Sequence, residues 1–124
     1  MTLVIGGAYQ GKLDYVLEKY PGKSIYHCNS GSSEIDVSAD VINAFHLALL
    51  SQIREGMDVL EHLRKQISLL EGKIIICDDI TCGIVPIDEE TRQWRETVGR
   101  SMALISKNAS RVIRVFCGIG SIIK

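Results

Sequence analysis

Short apolar runs alternate along this chain with segments in which apolar residues recur at helical spacing. Residues 3–5 form an apolar run that ends at two glycines, and apolar residues then recur every three or four positions until Pro21 and Gly22. This order predicts a strand, a glycine loop and a helix. Residues 23–28 indicate a second strand, and the Ser- and Gly-rich residues 29–33 a loop.

The middle of the chain predicts one short strand and two helices. Ile35, Val37 and Ala39 alternate with polar residues, which indicates a third strand. A helical stripe follows over residues 41–53. Asp58 is the expected N-cap of the next helix, which should end near residue 72.

Residues 74–77, Ile-Ile-Ile-Cys, are the best strand pattern in the chain. An apolar run without polar alternation is typical of a parallel strand buried on both faces by helices. Residues 88–107 then predict a helix, residues 112–117 a fifth strand, and residues 118–120 a turn into a short antiparallel tail. The predicted fold is an α/β, P-loop NTPase-like one, with a mostly parallel sheet of about five strands and helices on both faces. Ligands are then expected at the carboxyl ends of the strands.

Length and composition favour one domain over residues 1–124. The chain is 46% hydrophobic and has a formal net charge of −1, so it can bury a core without disulfides or a metal.

Scattered charges argue against a nucleic-acid partner, and no apolar run approaches the roughly 20 residues of a membrane span. With no signal peptide evident, a cytoplasmic location is expected. The four cysteines are expected to be reduced and mostly buried, and their spacing does not favour zinc.

The first loop has the spacing of a phosphate-binding loop, Gly6-x4-Gly11-Lys12. In such loops, main-chain N–H groups and a helix N-terminus surround the phosphates while the lysine reaches the terminal ones. The full motif ends in Ser or Thr, a Mg²⁺ ligand, but Leu13 stands there. A glycine-rich turn with an exposed lysine explains the spacing equally well.

Acids follow two of the predicted strands and are candidates for contact with a metal or a water. Asp78 and Asp79 come directly after residues 74–77, and Asp40 follows the proposed third strand. Such acids also cap helices and turns, and for Asp40 capping is the favoured interpretation.

The C-terminal half carries a specific series of residues. It comprises Cys77-Asp78-Asp79-Ile80-Thr81-Cys82-Gly83-Ile84-Val85-Pro86, Arg92, Trp94-Arg95, Gly99-Arg100, Cys117-Gly118-Ile119-Gly120 and Lys124. Together with Gly6-Gly7-Ala8 and Gly11-Lys12, this series resembles the bifunctional adenosylcobinamide kinase and adenosylcobinamide-phosphate guanylyltransferase family of cobalamin biosynthesis. The agreement of two separate segments favours the phosphate-loop interpretation.

The resemblance implies a nucleotide, ATP or GTP, with Mg²⁺, a cobinamide-type substrate and a homo-oligomer. It implies catalytic roles for Lys12, Asp78 and Asp79, with both acids at the metal. Nucleotide contacts are implied for the loop and for one helix, at Gly6, Gly7, Ala8, Tyr9, Gln10, Gly11, Lys12, Leu13, Arg92, Arg95 and Arg100. Arginines bind phosphate bidentately, but pairing with Glu89, Glu90 or Glu96 at helical spacing is the expected role of at least one of them.

The middle segment departs from the family, whose longer stretch there carries the histidine that accepts the guanylyl group. His46 is expected to be a partly buried helix residue, and His27 lies near a strand end. Phosphoryl transfer is therefore favoured over guanylyl transfer. A non-catalytic nucleotide-binding homologue is the alternative, and a module that binds no nucleotide is the least favoured, because it leaves the glycine loop unexplained.

Overall fold

The computed structural model describes residues 1–81 and 86–124 of the 124-residue chain. Residues 83–85 of the Gly-Ile-Val-Pro segment lie outside the described residues. The strands are β1 (Thr2–Gly6), β2 (Ile25–His27), β3 (Val41–Asn43), β4 (Ile74–Asp78), β5 (Arg111–Phe116) and β6 (Ile119–Ile122). The helices are α1 (Lys12–Lys19), α2 (Phe45–Arg54), α3 (Val59–Gln66) and α4 (Glu89–Asn108), with a 3-10 helix at Ile67–Leu70.

The six strands form one sheet in the order β2-β3-β4-β1-β5-β6. Every neighbouring pair is parallel except β5 and β6. The α/β class, the mostly parallel sheet and the antiparallel tail are confirmed, with six strands rather than about five. Because β1 pairs with both β4 and β5, its loop emerges at the middle of the carboxyl edge.

Helices cover both faces of the sheet. On one face, Leu3, Ile75 and Val112 of the strands share a core with buried residues of α2, α3 and α4. On the other face, Val4, Ile76 and Ile113 pack with Val16 of α1. Adjacent residues of β1 and β4 are thus buried on opposite faces, which is why their apolar runs show no polar alternation.

The predicted strand over Ile35, Val37 and Ala39 is wrong. This stretch is a loop in which Asp36 Oδ1 accepts hydrogen bonds from the main-chain N–H and the hydroxyl of Ser38, at 2.9 and 2.5 Å. Ile35 and Val37 pack against the core from this loop. The alternation of apolar and polar residues, which predicted a strand, therefore belongs to a loop whose apolar side chains lie on the core. Its short polar side chains bond to each other and to the main chain and form a turn.

The third strand is instead Val41–Asn43, where the apolar spacing predicts the start of a helix. Val41 and Ile42 are fully buried and belong to the cores on opposite faces of the sheet. The helix begins only at Phe45, after Ala44 with a φ of 58°. A short apolar run fits a buried strand and a helix equally well, so periodicity alone did not separate them.

The predicted N-cap at Asp58 is confirmed, and the helix predicted to begin at residue 88 is capped by Asp88. Asp58 accepts a hydrogen bond from the N–H of Glu61 at the start of α3, and Asp88 accepts one from Thr91 at the start of α4. No helix in the described parts of the chain is long and apolar enough to cross a membrane.

Candidate active site

The glycine loop joins β1 to α1 at the carboxyl edge of the sheet. Gly11 is the N-cap of α1 with a φ of 86°, and Lys12 is the first residue of that helix. Tyr9 also has a positive φ of 60°, although it is not glycine. Strained main-chain conformations of this kind concentrate at ligand-binding sites.

The loop is held against the turn between β5 and β6. Gln10 accepts two hydrogen bonds from this turn, one from Gly118 N–H to its main-chain oxygen at 2.8 Å and one from Cys117 N–H to its Oε1 at 2.7 Å. The conformation of the loop thus depends on a contact more than 100 positions away in the sequence.

Gly6 ends β1 in a tightly packed position. A Cβ atom there would overlap the carbonyl oxygen of Val115 on β5. The carbonyl oxygen of Gly6 accepts a hydrogen bond from Asp79 N–H at 2.8 Å, which ties the loop to the end of β4. Only glycine fits at this junction of three strands without displacing the main chain.

Lys12 is 6% exposed, and its ammonium group faces into the site. Nζ donates to the carbonyl oxygen of Gly7 at 2.7 Å and lies 2.6 Å from Asp78 Oδ1. This geometry excludes the interpretation of Lys12 as an exposed lysine after a glycine turn. A buried ammonium needs such partners, and here they come from the loop and from β4.

His46 lies on the other side of Asp78, in the first turn of α2. Its Nδ1 accepts a hydrogen bond from Asp78 N–H at 3.2 Å, and its Nε2 is 3.5 Å from Asp78 Oδ2. Burial lowers the pKa of His46, and this effect outweighs that of the Asp78 carboxylate, which raises it. The ring is therefore neutral near pH 7, and its proton is on Nε2 because Nδ1 is an acceptor.

These residues line a cavity of about 490 Å³ between α1 and α2. Its charged side chains in the described part of the chain are Lys12, Asp14 and Asp78, one cation and two carboxylates. Leu13 and Leu47 contribute apolar surface to the same cavity. The cavity therefore combines an apolar wall with a charged end beneath the glycine loop.

Asp79 does not share this cavity. Its Oδ1 accepts hydrogen bonds from Thr81 N–H and Thr81 Oγ1, at 3.0 and 2.5 Å. It lines a smaller cavity of about 200 Å³ whose other lining residues include Gly6, Gly7 and Gln10 of the glycine loop and Arg114 and Phe116 of β5. Successive residues at the end of a strand point to opposite faces, so the two adjacent acids occupy different cavities.

The resemblance places both acids at the metal, whereas in the structure Asp78 and Asp79 line different cavities. Within residues 1–81 and 86–124, no group of three or more His, Cys, Asp or Glu side chains is arranged to hold a metal ion. Asp78 alone still fits Mg²⁺, because this ion keeps several waters and is often held by one or two carboxylates plus phosphate oxygens.

The three arginines of α4 lie around a separate cavity of about 370 Å³ that also includes Thr81 and Glu96. Arg100 pairs with Glu96 at 2.6 Å. At least one of the three arginines was expected to form such an ion pair along the helix, and Arg100 does. Arg92 donates to the carbonyl oxygens of Pro86 and Ile87, and Arg95 donates to that of Thr81. Arg92 and Arg95 thus bind main chain on either side of residues 82–85.

Neither Asp40 nor His27 lines the cavity under the loop, although His27 contacts Asn43, which does. Asp40 precedes β3 at the amino edge of the sheet, and its Oδ2 accepts hydrogen bonds from Ser24 N–H and Oγ at 3.1 and 3.0 Å. Asp40 therefore caps no helix, because β3 follows it; it links the start of β3 to the start of β2. His27 is exposed at the end of β2, with its Nδ1 3.1 Å from Asn43 Nδ2.

Sequence reasoning missed the contribution of α2 to the cavity. His46 was expected to be only a partly buried helix residue, and Asn43 and Ala44 were placed inside a helix. The missed signal is that β3 ends at Asn43, which brings the next residues to the same edge as the glycine loop. Had residues 41–43 been recognised as a strand, Ala44 and His46 would have been candidates.

A family model described as cobinamide kinase / cobinamide phosphate guanyltransferase matches residues 36–123. The chain belongs to this family. The match contains Asp78, His46 and α4 but begins after the glycine loop, so the function of Lys12 is argued from its geometry. No individual curated protein matches the chain. The family description names two transfers of cobalamin biosynthesis, one to cobinamide and one to cobinamide phosphate.

Proposed function

We propose that this member of the cobinamide kinase family binds a nucleoside triphosphate at the glycine loop and transfers its terminal phosphoryl group to a cobinamide-type hydroxyl. The observation that carries the proposal is the buried Lys12 at the N-terminus of α1, whose Nζ faces a cavity beside Asp78. A helix N-terminus and a lysine together provide the positive potential that phosphates require.

The chemistry depends on positioning and on stabilisation of charge. The acceptor oxygen bonds to the terminal phosphorus while the bond to the bridging oxygen breaks; the nucleoside diphosphate leaves and the hydroxyl proton goes to solvent. Lys12 and the loop amides stabilise negative charge on the phosphate oxygens. Asp78 would hold Mg²⁺, which when bound neutralises phosphate charge. Arg92 and Arg95 line a cavity that contains no residue of the glycine loop, so we assign the phosphates to the loop and Lys12.

The histidines support phosphoryl transfer over guanylyl transfer. The resemblance to the family implies that guanylyl transfer needs a histidine to accept the guanylyl group. His46 is the histidine that lines the cavity, but its Nδ1 accepts a main-chain hydrogen bond and its Nε2 carries the proton toward Asp78. Neither nitrogen is then available as a nucleophile.

The test is titration of the purified chain with ATP and GTP, with and without Mg²⁺, in the wild type and in Lys12→Ala. Loss of a charged hydrogen-bond donor should weaken nucleotide binding by roughly 10- to 100-fold. Lys19→Ala removes the same charge from the exposed last turn of the same helix and is the matched control. Equal affinities of Lys12→Ala and wild type would overturn the assignment of the loop.

A non-catalytic nucleotide-binding homologue is the second candidate. It is supported by Leu13, which lines the cavity where a magnesium-binding hydroxyl is usual. Nucleotide binding that does not depend on Mg²⁺, without formation of a diphosphate when cobinamide is added, would favour this candidate. Formation of cobinamide phosphate from ATP or GTP would exclude it.

We further propose that residues 1–124 act as a single nucleotide-binding domain in the cytoplasm and assemble as a homo-oligomer. The cavity between α1 and α2 is open to solvent, and a neighbouring subunit is one way to enclose a large substrate. Light scattering of the purified chain, with and without nucleotide, measures the assembly directly.

A further inference from the structure

One imidazole, that of His46, contacts both the main chain and the side chain of Asp78. His46 follows Ala44 and Phe45 at the start of α2, where the left-handed φ of Ala44 turns the chain from β3 into the helix. Only 8% of the residue is exposed. It therefore lies inside the site, between the end of β4 and the helix that covers it.

The imidazole is fixed from behind by α4. Trp94 Nε1 donates to the carbonyl oxygen of His46 at 2.7 Å, and the two rings stack with centroids 6.1 Å apart and an interplanar angle of 29°. Rotation of His46 away from Asp78 would break the hydrogen bond at Nδ1 and move the ring out of this stack. The ring is thus held in one orientation.

The two oxygens of Asp78 face different partners because of this arrangement. Oδ1 is 2.6 Å from Lys12 Nζ, whereas Oδ2 is 3.5 Å from His46 Nε2. The second distance is longer than a hydrogen bond, but the Nε2 proton still attracts the carboxylate. A carboxylate with one firm partner can rotate, and a second partner restricts that rotation.

We propose that His46 is a positioning residue that orients the Asp78 carboxylate, and through it sets how tightly Lys12 is held before a nucleotide binds. The contacts run from Trp94 through His46 and Asp78 to Lys12, so α4, α2, β4 and α1 each contribute one side chain. The consequence of this arrangement for nucleotide binding rests on the proposed function. The orientation of Asp78 by His46 in the ligand-free chain does not depend on it.

The ligand-free contact is measured by the rate at which acetic anhydride acetylates Lys12, followed by peptide mass spectrometry with Lys19 as the internal reference. Asp78→Asn should accelerate this acetylation, and His46→Phe, which keeps the aromatic ring but lacks both nitrogens, should accelerate it by roughly tenfold. An unchanged rate in His46→Phe would overturn the proposal.

Two conservative variants separate positioning from packing. Gln at position 46 places an amide N–H near the position of Nε2, whereas Asn places an amide oxygen near that of Nδ1. His46→Gln should keep the wild-type rate and His46→Asn should not. The opposite order, or wild-type rates in both, would contradict the proposal even if His46→Phe fails to fold.

A double variant tests whether the effect passes through Asp78. His46→Phe should not accelerate Lys12 acetylation further in the Asp78→Asn background, because the group it positions is already changed. Equal acceleration in both backgrounds would indicate general loosening of the site and overturn the proposal. Failure of the wild type to bind ATP or GTP would count against the proposed function. It would not change the acetylation rates, which test the contact of Lys12 with Asp78 in the ligand-free chain.

Discussion

Lys12 Nζ and Asp78 Oδ1 lie 2.6 Å apart, so the lysine of the glycine loop is paired with the acid at the end of β4 before any phosphate arrives. Asp14 also lines the cavity between α1 and α2, so among the residues that the structure describes this cavity has two carboxylates, Asp14 and Asp78, and one ammonium group, Lys12. A phosphate must therefore compete with Asp78 for Lys12.

Asp78→Asn should therefore raise the affinity for ATP or GTP in the absence of Mg²⁺, by about tenfold or more, because Lys12 loses its charged partner. Isothermal titration in EDTA measures this change. Asp79→Asn removes the same charge from the neighbouring residue, which faces the other cavity, and should have a smaller effect. Metal-free affinity that is equal in Asp78→Asn and the wild type would show that Asp78 does not restrain Lys12.

Gly6→Ala should destabilise the chain by about 2 kcal/mol, because its Cβ would overlap the Val115 carbonyl at the junction of β1 and β5. The free energy of unfolding in urea measures the loss. Gly7→Ala is the matched control, since the nearest atom to its Cβ would be Gln10 Cγ at 3.7 Å. Equal stability of the two variants would be inconsistent with tight packing at Gly6.

Cys117→Asn should stabilise the chain by roughly 0.5–1 kcal/mol. Cys117 and Gly118 both have positive φ, 51° and 75°, in the two-residue turn between β5 and β6. Asn adopts this conformation more readily than Cys, and Asn-Gly is the preferred sequence of such turns. Cys117→Val, with a β-branched side chain, should do the reverse; a gain in its unfolding free energy would contradict the prediction.

Asp88 should make the stability of the chain depend on pH. The Thr91 hydroxyl and then the Thr91 N–H lower the pKa of Asp88 below its usual value. A lowered pKa stabilises the folded state above the unfolded pKa of about 3.9, and this contribution is lost as the pH falls through the folded value.

Two variants at position 88 separate capping from charge. Asp88→Asn keeps a capping oxygen but cannot titrate, so its melting temperature should be close to that of the wild type at pH 7 and should fall less between pH 5 and 3. Asp88→Ala should melt roughly 2–6 °C lower at pH 7. Wild-type pH dependence in Asp88→Asn would assign the titration to other carboxylates.

Local patterns in the sequence were sufficient for the elements whose signals are strong. The apolar run at residues 74–77 predicted β4, and Asp58 and Asp88 predicted the starts of α3 and α4. These features depend on neighbours a few positions away, so they can be recognised without the fold. The same locality explains the error over residues 35–43, where a short apolar segment fits a loop, a strand or a helix.

The sequence by itself determined the α/β class, the glycine loop with Lys12 at the start of a helix, and the resemblance to the cobinamide kinase family. Only the tertiary structure decided which acid meets Lys12, that Asp79 faces another cavity, that the α4 arginines bind main chain or Glu96, and that His46 contacts Asp78. The physical reason is that these relationships join side chains from different elements. Strand order and the alternation of faces at a strand end bring them together, and no spacing along the chain encodes those distances.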